Sequence, residues 1–159
     1  MSSVRVCKTF TFDAAHQLLG HSGKCANLHG HTYTLEVVLE GEPMGADHPS
    51  EEGFVLDFGD LKRTVQEVIA NPLDHAFLAM GNEPVLATLQ ATGSKVAVLG
   101  FRATAENLAL YTCHLLQQAG LPVYSVKLWE TRTAWAEVYA KDVPTTGPTY
   151  CMLGDCDDE

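Results

Sequence analysis

Cys25-Ala-Asn-Leu-His29-Gly-His31-Thr-Tyr33-Thr-Leu35-Glu-Val37-Val-Leu39-Glu40 carries both the fold and the chemistry of this 159-residue chain. From His31 onward, Tyr33, Leu35, Val37 and Leu39 alternate with Thr34, Glu36 and Glu40. That period of two predicts a half-buried strand over 31–40, because successive side chains of an extended backbone point to opposite faces. His29 and His31 share the parity of the apolar set. Upstream, residues 4–12 are rich in β-branched and aromatic side chains and predict a second strand. Its parity runs through Val6, Phe10, Phe12 and Ala14 to His16, if no bulge intervenes. Pairing the two strands sets three imidazoles on one apolar side. Buried imidazoles need partners there, and one ion supplies a partner for all three. Three neutral imidazoles with an open fourth position make a catalytic zinc site, whereas a structural zinc is closed by four protein ligands. The competing reading makes them ordinary core or surface histidines.

Other residues add chemistry around this cluster. Cys25 lies in the polar run Gly23-Lys24-Cys25, where Lys24 favours the thiolate; an inert buried thiol is the alternative. In Leu73-Asp74-His75 a carboxylate adjoins an imidazole and can set its tautomer, provided a turn at Asn71-Pro72 lets the neighbours face each other. Glu130 falls on the apolar parity of Tyr124, Val126 and Leu128. A carboxylate there either bends into solvent or accepts two hydrogen bonds from a planar N–H/NH2 edge such as a pterin or guanine ring presents. Glu106, following Thr104, reads as a first-turn carboxylate favoured by the helix dipole.

Length and composition bound the rest. At 46% hydrophobic and 19% charged, the chain is globular, with one domain expected. A formal net charge of -10 argues against nucleic acid or an anionic membrane as partner. No apolar run approaches the roughly 18 residues a membrane span needs. Five cysteines, an odd number without framework spacing, and an N-terminus without a signal-peptide layout predict reduced thiols in a cytoplasmic protein. If the substrate is anionic, its pocket must oppose the global field, and Lys8, Lys24, Arg102, Lys127 and Arg132 are the candidates to do so.

Along the chain, 13–30 reads as a long loop and 41–53 as a polar connection rich in breakers. Asp57 or Asp60 caps a helix bearing Leu61, Val65, Val68 and Ile69, which Asn71-Pro72 ends. Residues 81–101 are ambiguous, with a short helix over 84–91 and a short strand over 95–99 as one reading. Thr104 caps a second helix with Leu108, Tyr111, Thr112, Leu115 and Leu116 on one face, stopped by Gly120 and Pro122. Residues 123–131 and 134–141 form a hairpin, and the tail frays. The expected fold is α+β: a four-stranded antiparallel sheet backed by two helices, with edges that invite oligomerisation.

Taken together, Phe12-Asp-Ala-Ala-His16, Cys25-x-x-x-His29-Gly-His31, Val55-Leu-Asp57-Phe58-Gly-Asp-Leu61-Lys62, Leu73-Asp74-His75, Thr104-Ala-Glu-Asn107 and Trp129-Glu130-Thr131 resemble the 6-pyruvoyl-/6-carboxy-tetrahydropterin synthase family. The resemblance implies the tunnelling fold (T-fold) over 1–141, with 80–101 an insertion and 142–159 an acidic tail. It implies a barrel closed by trimerisation, as a homo-oligomeric trimer or dimer of trimers. It implies zinc on His16, His29 and His31, proton transfer by Cys25 and by the Asp74/His75 pair, and a pterin ring anchored by Glu130 near Thr104 and Lys24. The implied substrate is 7,8-dihydroneopterin triphosphate. The three residues between Cys25 and the His-Gly-His resemble the bacterial 6-carboxy branch, which cleaves the side chain to acetaldehyde on a route to queuosine. The alternatives are 6-pyruvoyl-tetrahydropterin synthesis, which keeps the side chain, and a non-catalytic zinc-dependent pterin-binding oligomer.

Overall fold

The computed structural model describes residues 2–144. Cys151, Cys156 and all but the first residues of the expected 142–159 tail lie outside them. Strand β1 (Val4–His16) pairs antiparallel with β2 (His29–Gly41) in one unbroken register, from Val4 opposite Gly41 to His16 opposite His29. Both strands are longer than the predicted 4–12 and 31–40, so the loop shrinks to 17–28. Asp13 is exposed while Ala14 and His16 are buried, so the strand alternation continues through residues that read as loop. Gly30 is there because of close approach: a Cβ on it meets the Ala14 carbonyl oxygen at 3.2 Å.

The predicted four-stranded antiparallel sheet is corrected to a six-stranded mixed one. Strand β3 (Ala76–Met80) runs parallel to β1, and β4 (Val96–Leu99) parallel to β3. Strand β5 (Val123–Trp129) pairs with β2, and β6 (Trp135–Tyr139) with β5, both antiparallel. The order across the sheet is β4-β3-β1-β2-β5-β6. The expected antiparallel four are therefore present as β1, β2, β5 and β6, with two parallel strands added beside β1. Strand β3 escapes a period-of-two reading because Ala76, Phe77, Leu78 and Ala79 are all buried, as befits a parallel strand covered on both faces. The hairpin expected at 132–133 opens into a wider loop, with the Glu130 amide donating to the Ala134 carbonyl at 3.1 Å.

Helix α1 begins at Phe58–Val65, passes through a π turn at Gln66–Ala70 and closes with Asn71–Leu73. Asp57 caps it, its carboxylate accepting from the Gly59 amide. The helix does not end at Asn71-Pro72 as predicted. Pro72 lacks an N–H and its ring crowds the carbonyl four residues back; the wider π turn relieves that clash and lets the helix run to Leu73. A short helix α2 (Leu86–Ala91) crosses between β3 and β4, so the ambiguous 80–101 segment is a strand–helix–strand crossover. Helix α3 (Ala105–Gln118) is capped by Thr104.

One face of the sheet is dry. Tyr33, Leu35, Val37 and Leu39 of β2 and Val126 and Leu128 of β5 are sealed under Leu61, Val65, Ile69 and Leu73 of α1 and Leu108, Tyr111 and Leu116 of α3. Burying each large aliphatic side chain contributes roughly 1.5–3 kcal/mol. The three histidines sit where this packed face reaches the β1–β2 loop.

Candidate active site

The unbroken register brings His16 and His29 opposite each other at the mouth of β1 and β2, and His31 two residues along β2 shares their face. His16 is fully buried. Its Nδ1 donates to the Ala103 carbonyl at 2.7 Å, since a carbonyl can only accept. His29 Nδ1 likewise donates to the Asn27 carbonyl at 2.6 Å. Both rings are thereby held with Nε2 free as the lone-pair nitrogen, the orientation that a carbonyl accepting from the other ring nitrogen gives a metal-binding histidine. Those two Nε2 atoms lie 3.0 Å apart. With each ring's N–H on Nδ1, the two Nε2 atoms face each other across this gap as lone-pair nitrogens. His31 Nε2 is buried without a hydrogen-bond partner among the described residues, and Glu130 Oε1 is 3.7 Å from it, too far for a hydrogen bond.

One ring nitrogen from each of the three residues lies within 4.8 Å of the others, and the rings cross at 62°, 84° and 90°. Lone pairs converging on one point, one of them orphaned in the interior, fit a divalent cation that accepts imidazole nitrogen. Burial pushes the His16 pKa down from 6.5 to about 4 against the opposing Ala103 hydrogen bond. Burial also lowers that of His31, more than the Glu130 carboxylate raises it. Both rings are therefore neutral near pH 7, the form a metal needs.

A second cluster lies beside the first. The Asp13 amide donates to Asp74 Oδ1 at 2.9 Å, the His75 amide donates to the Asp13 carbonyl at 2.6 Å, and His75 Nδ1 sits 3.1 Å from Asp74 Oδ1. The Asp13 carboxylate in turn accepts from the Thr32 hydroxyl. The Asp13 amide lowers the Asp74 pKa against an opposing desolvation, and His75 adds to the lowering. His75 has a backbone φ of 59°, among the described residues the one non-glycine in the left-handed region. Such a conformation costs on the order of 1–3 kcal/mol and persists only where surroundings impose it. Here the turn at His75, rather than the one expected at Asn71-Pro72, lets adjacent Asp74 and His75 face each other.

A cavity of about 680 Å3 joins the clusters, with His31, Asp13, Thr32 and His75 on its walls. None of the five basic candidates lines it. Arg102 donates to the Leu19 carbonyl, Lys127 lies 3.9 Å from Glu36 and 4.9 Å from the Trp135 ring, and Lys8 lies beside Phe58. Lys95 lines the cavity instead and was not among the expected residues. Asp13 and Thr32 were also missed; their partners come from strand register, which leaves no local signal. Glu130 stands where parity placed it, on the His31 side. Thr104 caps α3, its hydroxyl accepting from Asn107 at 3.3 Å, next to the carbonyl that holds His16. Cys25 is half-buried in the turn Lys24–Ala26. Within the one chain neither Cys25 nor Lys24 lines the cavity, and Cys25 joins neither cluster.

A family model described as 6-pyruvoyl tetrahydropterin synthase matches residues 5–141. The chain is 42% identical over 138 residues to a 6-carboxy-5,6,7,8-tetrahydropterin synthase of Haemophilus influenzae, covering 84% of this chain and 96% of that one. It is 32% identical over 142 residues to the protein of the same name from Rickettsia bellii, covering 85% and 99%. The solved structure of Caenorhabditis elegans 6-pyruvoyl tetrahydropterin synthase superposes with a TM-score of 0.64 at 24% identity, over 87% of this chain and 96% of that one, a likeness of fold.

Proposed function

The chain belongs to the 6-pyruvoyl tetrahydropterin synthase family, and on that premise we propose that it is a zinc-dependent 6-carboxy-5,6,7,8-tetrahydropterin synthase. It converts 7,8-dihydroneopterin triphosphate and water to 6-carboxy-tetrahydropterin, acetaldehyde and triphosphate. The observation that carries this reading is the His16/His29/His31 cluster, with His16 and His29 oriented by backbone carbonyls, opening through His31 onto a cavity that also reaches His75. Zinc held there supplies Lewis acidity toward the hydroxyl oxygens of the substrate side chain.

The chain's own groups do the rest. The Asp74 carboxylate, kept ionised by the Asp13 amide, accepts from His75 Nδ1 and leaves Nε2 of that ring to take or return a proton. Cys25, half-buried in the turn Lys24–Ala26, is the second proton-transfer group. Glu130 accepts the N–H and NH2 edge of the pterin ring, with the backbone at Thr104 alongside. Strands β4 and β6 are the free edges of the sheet, which supports assembly as a trimer or dimer of trimers. The free thiols of Cys7, Cys25 and Cys113 suit a cytoplasmic setting, and no described helix is long and apolar enough to cross a membrane.

Two variants test the assignment. Cys25→Ala keeps full zinc content and assembly while turnover falls by about 10²–10⁴, the range a proton-transfer group contributes. His29→Ala loses the metal. Wild-type turnover in Cys25→Ala sinks the mechanism, and full zinc in His29→Ala sinks the metal assignment.

A further inference from the structure

The left-handed turn at His75 needs something to hold it, and the residue in place to do so comes from the 80–101 crossover. In a helix that ran on, the His75 amide would donate to the Asn71 carbonyl, four residues back. Here it donates to the Asp13 carbonyl at 2.6 Å instead. The Asn71 carbonyl is then an orphan of the helix end. Lys95 takes its place as donor: Nζ lies 2.6 Å from the Asn71 carbonyl and 2.6 Å from that of Asp74. The lysine itself is registered by the sheet, since its own carbonyl accepts from the Phe77 amide at 3.0 Å just ahead of β4. A cation at a helix C-terminus is also favoured by the dipole.

We propose that Lys95 is a positioning residue for the Asp74/His75 pair. It occupies the carbonyl that would draw the His75 amide back into the helix, so the amide stays on Asp13 and the ring stays against Asp74. This inference rests on the proton-transfer role proposed for His75. It also gives the crossover a task at the cavity, where Lys95, Ser94 and Leu89 form part of the wall.

The test joins hydrogen exchange to a double-mutant cycle. In Lys95→Met, which keeps the aliphatic stem, the His75 amide exchanges about tenfold faster while core amides of β2 and β5 are unchanged. On 7,8-dihydroneopterin triphosphate, kcat falls about 10–100-fold with KM within about twofold. In a His75→Ala background the same substitution changes kcat by less than about twofold, because its effect passes through the ring that is gone. Unchanged exchange at His75 overturns the clamp. An equal loss of rate with and without His75 overturns the positioning role, as does a raised KM at constant kcat, which assigns Lys95 to anion binding. If wild-type protein leaves the pterin unconsumed, the proposed function fails, and exchange at His75 still decides the clamp.

Discussion

At His16 one ring carries two commitments, Nδ1 to the Ala103 carbonyl and Nε2 toward His29. Its burial has a consequence for the metal-free protein. The folded-state pKa lies near 4 and the unfolded value near 6.5, so between those limits the unfolded chain binds more protons. Stability therefore falls as pH drops from about 6.5 to about 4, by up to about 3 kcal/mol from this group. Denaturant titrations of the metal-free protein across that window should show the slope, and His16→Asn should flatten it. A slope unchanged in His16→Asn shows that the ring is not held neutral as described. The histidines were legible in the sequence because strand parity alone puts them on one face. Asp13 and Lys95 were not: Asp13 reaches Asp74 and His75 through its own backbone amide and carbonyl, Lys95 donates to the Asn71 and Asp74 carbonyls, and backbone groups leave no mark in side-chain pattern.

Helix α3 ties its own start to the histidine cluster. Thr104 caps the helix, and the preceding carbonyl, that of Ala103, orients His16. Loss of an N-cap hydroxyl costs about 1 kcal/mol. Thr104→Ala should lower the denaturation midpoint accordingly and weaken zinc binding severalfold, while Thr104→Ser restores both. Zinc affinity equal to wild type in Thr104→Ala separates the cap from the site. Strands with one wet face were readable at this scale, and β2 was read nearly to its ends. Strand β3 was not, because a run buried on both faces has no alternation to read. The end of α1 was misplaced because Pro72 signals a stop, whereas the π turn at Gln66–Ala70 absorbs it. The 95–99 strand was glimpsed, but its parallel partnership with β3 depends on contacts far apart in sequence.

Over the whole molecule, a chain of net charge -10 is proposed to take a triphosphate, so the cavity must oppose the global field locally. A divalent metal held by the three imidazoles, when bound, would supply positive charge at its wall. The mixed sheet keeps the expected antiparallel four contiguous from β1 to the β6 edge and carries the crossover on the other side, so the class of fold was legible while its strand count was not. The most direct measurement incubates zinc-loaded protein with 7,8-dihydroneopterin triphosphate and follows acetaldehyde and 6-carboxy-tetrahydropterin together. The account predicts that both appear in equal amounts as substrate disappears. Consumption of substrate without acetaldehyde contradicts it and places the chain in the branch that keeps the side chain; no consumption at all contradicts catalysis and leaves a pterin-binding oligomer.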